Sequence, residues 1–424
     1  MTSVKDLIKG IHDCPCGKDH NCPTQWVEIG SGALDTISGH CEDFESILLV
    51  ADQNTYAACG SRVEALVAEK LESVLVYDSG DKPLIPNEEA LATLAAKVTD
   101  KTQLIIGVGS GVINDLCKQV SFEKNLPYFI VATAPSMDGY TSVGSALILK
   151  GMKVTLNARP PMGVVADTQV LRSAPLDMIQ AGVGDVVGKY SCLNDWRLSA
   201  LINGEYFCQQ VHDLVYEAAQ TVESLAEKAV ARDEEALGAL MEALVAVGFE
   251  MSYVGNSRPA SGSEHHLSHF FEITGILEDK PYFAHGIDVV YSAVVTAAIR
   301  EQVIKSQPAQ FAFDRENWEA EISRIYSTSA PEVIALQNKM GWYEKDDFAN
   351  VSAKWDAIVK LLAEAPTQDQ MLDMVRRIGL NYQEFVDLYG MAKIENAIRY
   401  AKDLKDRYSV LWLAYQYCGR NTNE

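Results

Sequence analysis

Five short, unbroken runs of apolar and β-branched residues constrain this chain more than anything else in it: ESILLVAD, SVLVYD, QLIIGVG, PYFIVATA and MGVVADTQVL, all within residues 26–171. Continuous apolar runs, as opposed to alternating ones, belong to a sheet covered on both faces. Helical patterns over residues 56–71 and 87–98 alternate with them, which predicts a doubly wound α/β domain over residues 26–174. In such a sheet the ligand lies at the carboxyl ends of the strands. SALILKGMKVTL adds a hairpin turning at residues 150–152.

After residue 174 the pattern changes to amphipathic helices, over residues 176–202, 205–225, 234–253, 287–304 and 351–363, with two or three more to residue 417. An all-α domain over residues 175–424 follows, with the boundary at residues 172–175. Residues 318–347 are richer in charge and turn formers and read as an insertion. Residues 1–25 stand apart as a Cys/His-containing segment.

The chain has 58 acidic against 36 basic residues, a formal charge of −22. That field disfavours nucleic acid and anionic membranes, although a local cluster of Lys, Arg and helix N-termini still accommodates a small anion. The first residues lack the apolar core of a signal peptide, and no apolar run comes close to the roughly 20 residues of a membrane helix. The expectation is a soluble, cytoplasmic protein. Nine cysteines, an odd number, read as reduced thiols. The dense group His12, Cys14, Cys16, His20 and Cys22 has zinc-ligand chemistry but no closed-site spacing, so an N-terminal turn shaped by Pro15, Gly17 and Pro23 is the expectation.

Two strand ends carry chemistry. Asp52 closes the first run, where a carboxylate accepts hydrogen bonds from an adenosine ribose and disfavours a 2′-phosphate, or simply caps the next helix. Gly107, Gly109 and Gly111 lie between QLII and a helix, where the backbone and helix N-terminus suit a pyrophosphate; tight strand-to-helix packing is the other reading, since the spacing is not GxGxxG. Thr133, Ser136, Asp138 and Ser142 then crowd small polar groups after the fourth run.

Half of the eight histidines, His265, His266, His269 and His285, fall within residues 261–286. A helix capped by Ser263 and running through Phe271 stacks His265 and His269 on one face. That is a two-ligand metal signal, and helix packing explains it equally well. Asp185, among Gly182, Gly184 and Gly188, is a candidate third ligand, because glycine inside a helix marks a close approach to its backbone. A carboxylate with two imidazoles suits zinc, nickel or ferrous iron and leaves catalytic positions open.

The segments GVGSGVIND, TAPSMDGYTS, ARPPMGVVADT, GVGDVVGKYSCLNDWRLS, SRPASGSEHHLSH and FAHG together resemble the sn-glycerol-1-phosphate dehydrogenase family, within the dehydroquinate synthase-like and iron-containing alcohol dehydrogenase superfamily. The resemblance implies that fold, with a nucleotide domain followed by a helical metal-binding domain, and a homodimer. It implies metal ligands at Asp185, His265 and His285, and cofactor contacts at Asp52, Gly109, Ser110, Gly111, Thr133, Ser136 and Ser142. Asp138 and His269 are implied at the reacting centre, and Lys153 in the substrate cleft; we add Arg258 as a partner for the substrate phosphate. His266 stands where an apolar residue is expected.

The implied activity is interconversion of dihydroxyacetone phosphate and sn-glycerol 1-phosphate with NAD(H), NADP(H) second, and one divalent ion. A glycerol or other polyol dehydrogenase shares the metal and cofactor and differs in the phosphate pocket. A dehydroquinate synthase-like cyclase would recycle its NAD within one turnover, and a non-catalytic nucleotide or metal sensor would need neither reaction.

Overall fold

The computed structural model describes residues 1–78, 80, 84–149 and 152–418, divided between two compact units. One comprises residues 1–186 and 213–257, the other residues 187–212 and those from 258 on.

The first unit holds a six-stranded sheet of β1 (Trp26–Gly30), β2 (Ile47–Asp52), β3 (Leu71–Tyr77), β4 (Leu104–Gly109), β5 (Tyr128–Ala132) and, after the hairpin strands β6 (Gly144–Leu149) and β7 (Met152–Asn157), β8 (Gly163–Asp167). The order is β1-β8-β5-β4-β2-β3 and every pairing is parallel. β2, β4, β5 and β8 are the fully apolar runs, and their side chains form the core with Leu34, Ile37 and Val63 from the flanking helices. β1 is the strand that the sequence pattern missed. WVEIG carries Glu28, sits at the sheet edge against β8 alone, and is mostly half-buried, so it lacks the apolar signature of its neighbours.

Strand order reverses between β2 and β4: β3 lies to one side, β5 and β8 to the other. Such a switch point opens a crevice at the strand ends. Asp52 ends β2 and Gly109 ends β4, in adjacent register with Ala51 beside Val108. The expected helix over residues 56–71 is instead a π turn at Tyr56–Gly60, a helix at Ser61–Leu66 and a short 3₁₀ segment before β3. The β6–β7 hairpin is antiparallel as expected; residues 150 and 151 of its expected turn lie outside the described residues.

The compact unit does not end at residues 172–175, because helices from further along the chain pack against the loop after β5. At Gly182, in the helix Leu176–Val187, a Cβ would lie 1.8 Å from the Pro135 carbonyl oxygen. At Gly248, in the helix Glu234–Val254, a Cβ would lie 2.2 Å from Thr141 Oγ1. The glycine-rich composition of the first helix thus reflects a close approach by the Pro135 carbonyl. Contrary to the expectation of no such run, Glu234–Val254 is long and apolar enough to cross a membrane, with mean hydropathy 1.5, but 72% of that window is buried inside the protein. It is a core helix.

The second unit is helical, with Lys189–Asn203, Ser263–Glu278, His285–Lys305 and Tyr382–Tyr400 among its longest members. Residues 318–347 pack into the body of the helical unit. Trp318, Ile322 and Tyr326 are buried, and Tyr343 stacks on Phe313 at 4.1 Å and meets Trp412 at 4.9 Å. Gln337 donates to the Asp403 and Lys405 carbonyls, tying the segment into the core. Its charged residues occupy the outer faces and masked this aromatic seam.

Candidate active site

In the helical unit, three imidazoles converge. His265 and His269 sit one turn apart on Ser263–Glu278, and His285 opens the helix His285–Lys305. Ring centroids are 5.2 Å apart for His265 and His285, 5.3 Å for His269 and His285, and 6.0 Å for His265 and His269. The first helix is capped by Gly262, not Ser263, and a distant carboxylate does the capping: Asp195 Oδ2 accepts the Ser263 amide at 2.7 Å. A Cβ at Gly262 would collide with Cys192 Cα at 2.6 Å and Asp195 Oδ2 at 2.7 Å, which explains glycine there.

Glu264 is fully buried, and its Oε1 accepts both the Gly262 amide at 2.9 Å and Nδ1–H of His265 at 2.7 Å. With that proton assigned to Nδ1, Nε2 of His265 presents a lone pair, the usual arrangement behind a metal-bound imidazole. His285 Nδ1 lies 3.4 Å from Ser268 Oγ. These donors fit a borderline divalent ion. His266 differs from them: it is fully buried, and neither ring nitrogen has a hydrogen-bond partner among the described residues. Burial, then the charges of Arg407, Lys405 and Arg258, hold its pKa far below the ordinary range, so it is a neutral packed ring.

Arg258 is also buried. It donates from Nε and Nη2 to the two carboxylate oxygens of Glu205, both at 3.0 Å, and from Nη2 to the Asp195 and Tyr408 carbonyls. Much of its donor fork is therefore spent on framing the unit. Burial, and secondarily the charge of Glu264, push the Asp195 carboxyl up to about 6.

In the α/β unit, Asp185 is fully buried and its Oδ2 accepts the backbone N–H of Asp138 at 3.0 Å. Asp138 belongs to the loop after β5, which is held on three sides. Gly182 and Gly248 admit its backbone, Thr141 donates to the Val245 carbonyl, and Ser252 donates to the Thr141 carbonyl. From the helix Gly111–Glu123, buried Lys118 donates to the carbonyls of Gly139 at 2.7 Å and Gly144 at 3.0 Å, and to Ser142 Oγ at 3.2 Å. Ser142 thus serves inside the loop's own bracing, donating in turn to the Gly139 carbonyl. Lys153, on β7, adds positive charge near Asp115.

At the sheet's switch point the three glycines divide by role. A Cβ at Gly107 would meet Cys117 Sγ at 2.9 Å and one at Gly109 would meet Ile113 Cβ at 2.6 Å, so helix packing requires both. At Gly111 the nearest atom is 3.5 Å away, an ordinary contact, and Ser110 makes no side-chain cap. The N-terminus of this 13-residue helix therefore faces the end of β4 without a side-chain acceptor. Thr133 follows β5, with its N–H on the Gly109 carbonyl, and the Ser136 N–H reaches the Ala134 carbonyl. Asp52 does cap the next helix: Oδ1 accepts the Thr55 amide at 2.9 Å while Thr55 Oγ1 accepts the Asp52 amide at 3.0 Å.

Glu264, Asp195, Lys118 and Asp115 escaped the sequence reading. The acid directly before a proposed histidine ligand was a usable signal for Glu264, and the Asp–Lys pair three residues apart on one helix was one for Asp115 and Lys118. Asp195 had none, because its partners are remote in the chain.

The family model "Iron-containing alcohol dehydrogenase" matches residues 28–175. A Halalkalibacterium halodurans protein named glycerol-1-phosphate dehydrogenase [NAD(P)+] is 33% identical over 306 residues, covering 70% of this chain and 76% of that protein. A Bacillus licheniformis protein of the same name is 29% identical over 428 residues, covering 98% and 96%. Among solved structures, an iron-containing alcohol dehydrogenase from Thermococcus thioreducens aligns with TM-score 0.61 at 15% identity over 93% of this chain and 99% of that one. Sulfoacetaldehyde reductase from Bifidobacterium kashiwanohense, solved with NAD+, aligns with TM-score 0.62 at 15% identity over 94% and 97%. At these identities the structures speak to fold alone.

Proposed function

The chain belongs to the glycerol-1-phosphate dehydrogenase family of the iron-containing alcohol dehydrogenase superfamily, and on that premise we propose that it interconverts dihydroxyacetone phosphate and sn-glycerol 1-phosphate. The observation that carries the site reading is the triple-histidine cluster with its buried carboxylate, Glu264, behind His265. Asp185, His265 and His285 would hold one divalent ion, zinc or nickel, with iron third. Bound there, it supplies a Lewis acid that favours the charge developing on the substrate oxygen.

NADH, or NADPH, supplies the hydride when bound. Asp52, Gly109, Ser110, Gly111, Thr133, Ser136 and Ser142 make up the cofactor side. Phosphate oxygens fit the uncapped helix at Gly111, where N–H groups and the helix dipole favour negative charge. Asp52 keeps Oδ2 for a ribose hydroxyl while Oδ1 caps its helix.

On the substrate side, Asp138 is fixed by its backbone bond to Asp185 and orients the hydroxyl-bearing end of the substrate. His269 is partly exposed and is the imidazole of the cluster left outside the ligand set, which suits it to passing a proton to the former carbonyl oxygen. Lys153 supplies direct charge to the phosphate, and Arg258 contributes through the frame it builds with Glu205. A cytoplasmic homodimer goes with this reading.

NADH oxidation with dihydroxyacetone phosphate, compared with unphosphorylated dihydroxyacetone, tests the substrate. A higher kcat/KM for the phosphorylated ketone is expected. Preference for the unphosphorylated ketone would make the protein a polyol dehydrogenase.

A further inference from the structure

The N-terminal segment folds into a closed loop whose interior is made of metal-ligating atoms. Ile11 and His20 form an isolated antiparallel bridge, exchanging backbone hydrogen bonds at 2.9 Å in both directions. Between them the chain turns at Cys14–Gly17, where the Gly17 N–H meets the Cys14 carbonyl at 2.9 Å with Gly17 at φ +82°. Gly10 is equally constrained, since a Cβ there would lie 2.4 Å from the His20 carbonyl oxygen. Cys14 is 6% exposed and His20 fully buried, with Cys16 between.

The histidine is held in the geometry of a ligand. His20 Nδ1 lies 3.1 Å from the Tyr253 carbonyl oxygen, which can only accept, so the ring proton is on Nδ1 and Nε2 carries the lone pair. That Nε2 lies 3.3 Å from Cys16 Sγ. A backbone carbonyl behind one imidazole nitrogen and a thiol in front of the other is the arrangement that orients structural zinc ligands. One donor atom each from Cys14, Cys16 and His20 falls within 4.8 Å of the others. His12, which is exposed, and Cys22, whose thiol is held by Thr24 and Ser252, stay outside the group.

We propose that Cys14, Cys16 and His20 hold a zinc ion. Two thiolates with one imidazole make a soft donor set that favours zinc over harder cations. Four other cysteines have places of their own: Cys41 and Cys59 lie in the sheet core, Cys117 lies under Gly107, and Cys192 donates to the Lys189 and Pro259 carbonyls. Tyr253 ties the segment to Glu234–Val254 twice, through its carbonyl to His20 and through its hydroxyl on the Leu7 carbonyl. This site stands apart from the dehydrogenase reading, whose ligands are oxygen and nitrogen.

The test is metal content and cobalt spectroscopy on the full-length protein. The expected result is one equivalent of zinc beyond the metal exchangeable with dehydrogenase activity. On cobalt replacement, that equivalent should show the intense thiolate-to-cobalt charge-transfer absorption that an aspartate and histidine site cannot produce. Cys14→Ser and Cys16→Ser should each remove this band and that zinc. Should a variant fail to fold, the wild-type cobalt spectrum still decides. Absence of the band in wild type, or a Cys14–Cys16 disulfide by mass spectrometry of alkylated protein, would overturn the proposal.

Discussion

Oε1 of Glu264 lies 2.7 Å from Nδ1 of His265, and the same oxygen accepts the Gly262 amide at 2.9 Å. One buried carboxylate thereby fixes both the start of the helix and the tautomer of the imidazole that points toward His285. Glu264→Gln keeps an acceptor in that place but removes the charge that strengthens the imidazole as a donor to metal. Metal affinity should fall by about 10- to 100-fold with the fold preserved. Titration of the metal-free variant checks this, and an affinity equal to wild type would show that Glu264 only caps the helix.

Lys118 is fully buried, braces the Asp138 loop through two carbonyls and Ser142, and pairs with Asp115 at 3.6 Å. Lys118→Met removes those donors and strands the Asp115 carboxylate, at an expected cost of about 3–5 kcal/mol. Adding Asp115→Asn should recover part of that loss. Urea unfolding of the two variants measures it; equal stabilities would mean that the buried pair is uncoupled.

Gly109 and Gly111 should respond differently to alanine. Gly109→Ala drives a methyl into Ile113 and should destabilise by roughly 1–3 kcal/mol. Gly111→Ala meets only ordinary contacts, so its thermal midpoint should stay near wild type while its Kd for NADH rises. Calorimetry paired with fluorescence titration of NADH separates packing from binding. A Gly111→Ala protein with unaltered Kd would remove the pyrophosphate from this helix.

Burial pushes the Asp115 carboxyl up to about 6, against the opposing pull of Lys118. In the unfolded chain the same group ionises near the usual value of about 3.9. Raising the pH from about 4 to about 6 therefore deprotonates the unfolded state first and erodes native stability, and the contribution is complete only below the unfolded value. Relative to Asp115→Asn, wild type should lose on the order of 1 kcal/mol per pH unit across that window. Denaturant midpoints at three or four pH values suffice, and parallel curves for the two proteins would contradict the assignment.

Much of the α/β unit could be read in advance because its central strands, such as Ile47–Asp52 and Tyr128–Ala132, are buried on both faces and hence uniformly apolar. β1 escaped because an edge strand tolerates Glu28, and the end of the unit escaped because Gly182 and Gly248 record a helix-to-loop approach that no periodicity reveals. The packing of residues 318–347 was hidden for a similar reason: charges on the outer faces cover Trp318 and Tyr326 within. At the site, the histidines were visible as composition, and their convergence depends on two helices joined by a short stretch. Among the supporting groups, Asp195 acts through partners more than 60 residues away in sequence.

The central claim is that dehydrogenase turnover runs on a metal held by Asp185, His265 and His285. NADH oxidation with dihydroxyacetone phosphate should be measured on the native protein, after chelation, and after return of zinc or nickel, alongside Asp185→Ala. Activity should vanish on chelation and return with the ion in wild type, and neither the ion nor higher substrate should restore Asp185→Ala, whose circular dichroism should match wild type. Turnover that survives chelation, or an Asp185→Ala enzyme as active as wild type, would contradict it.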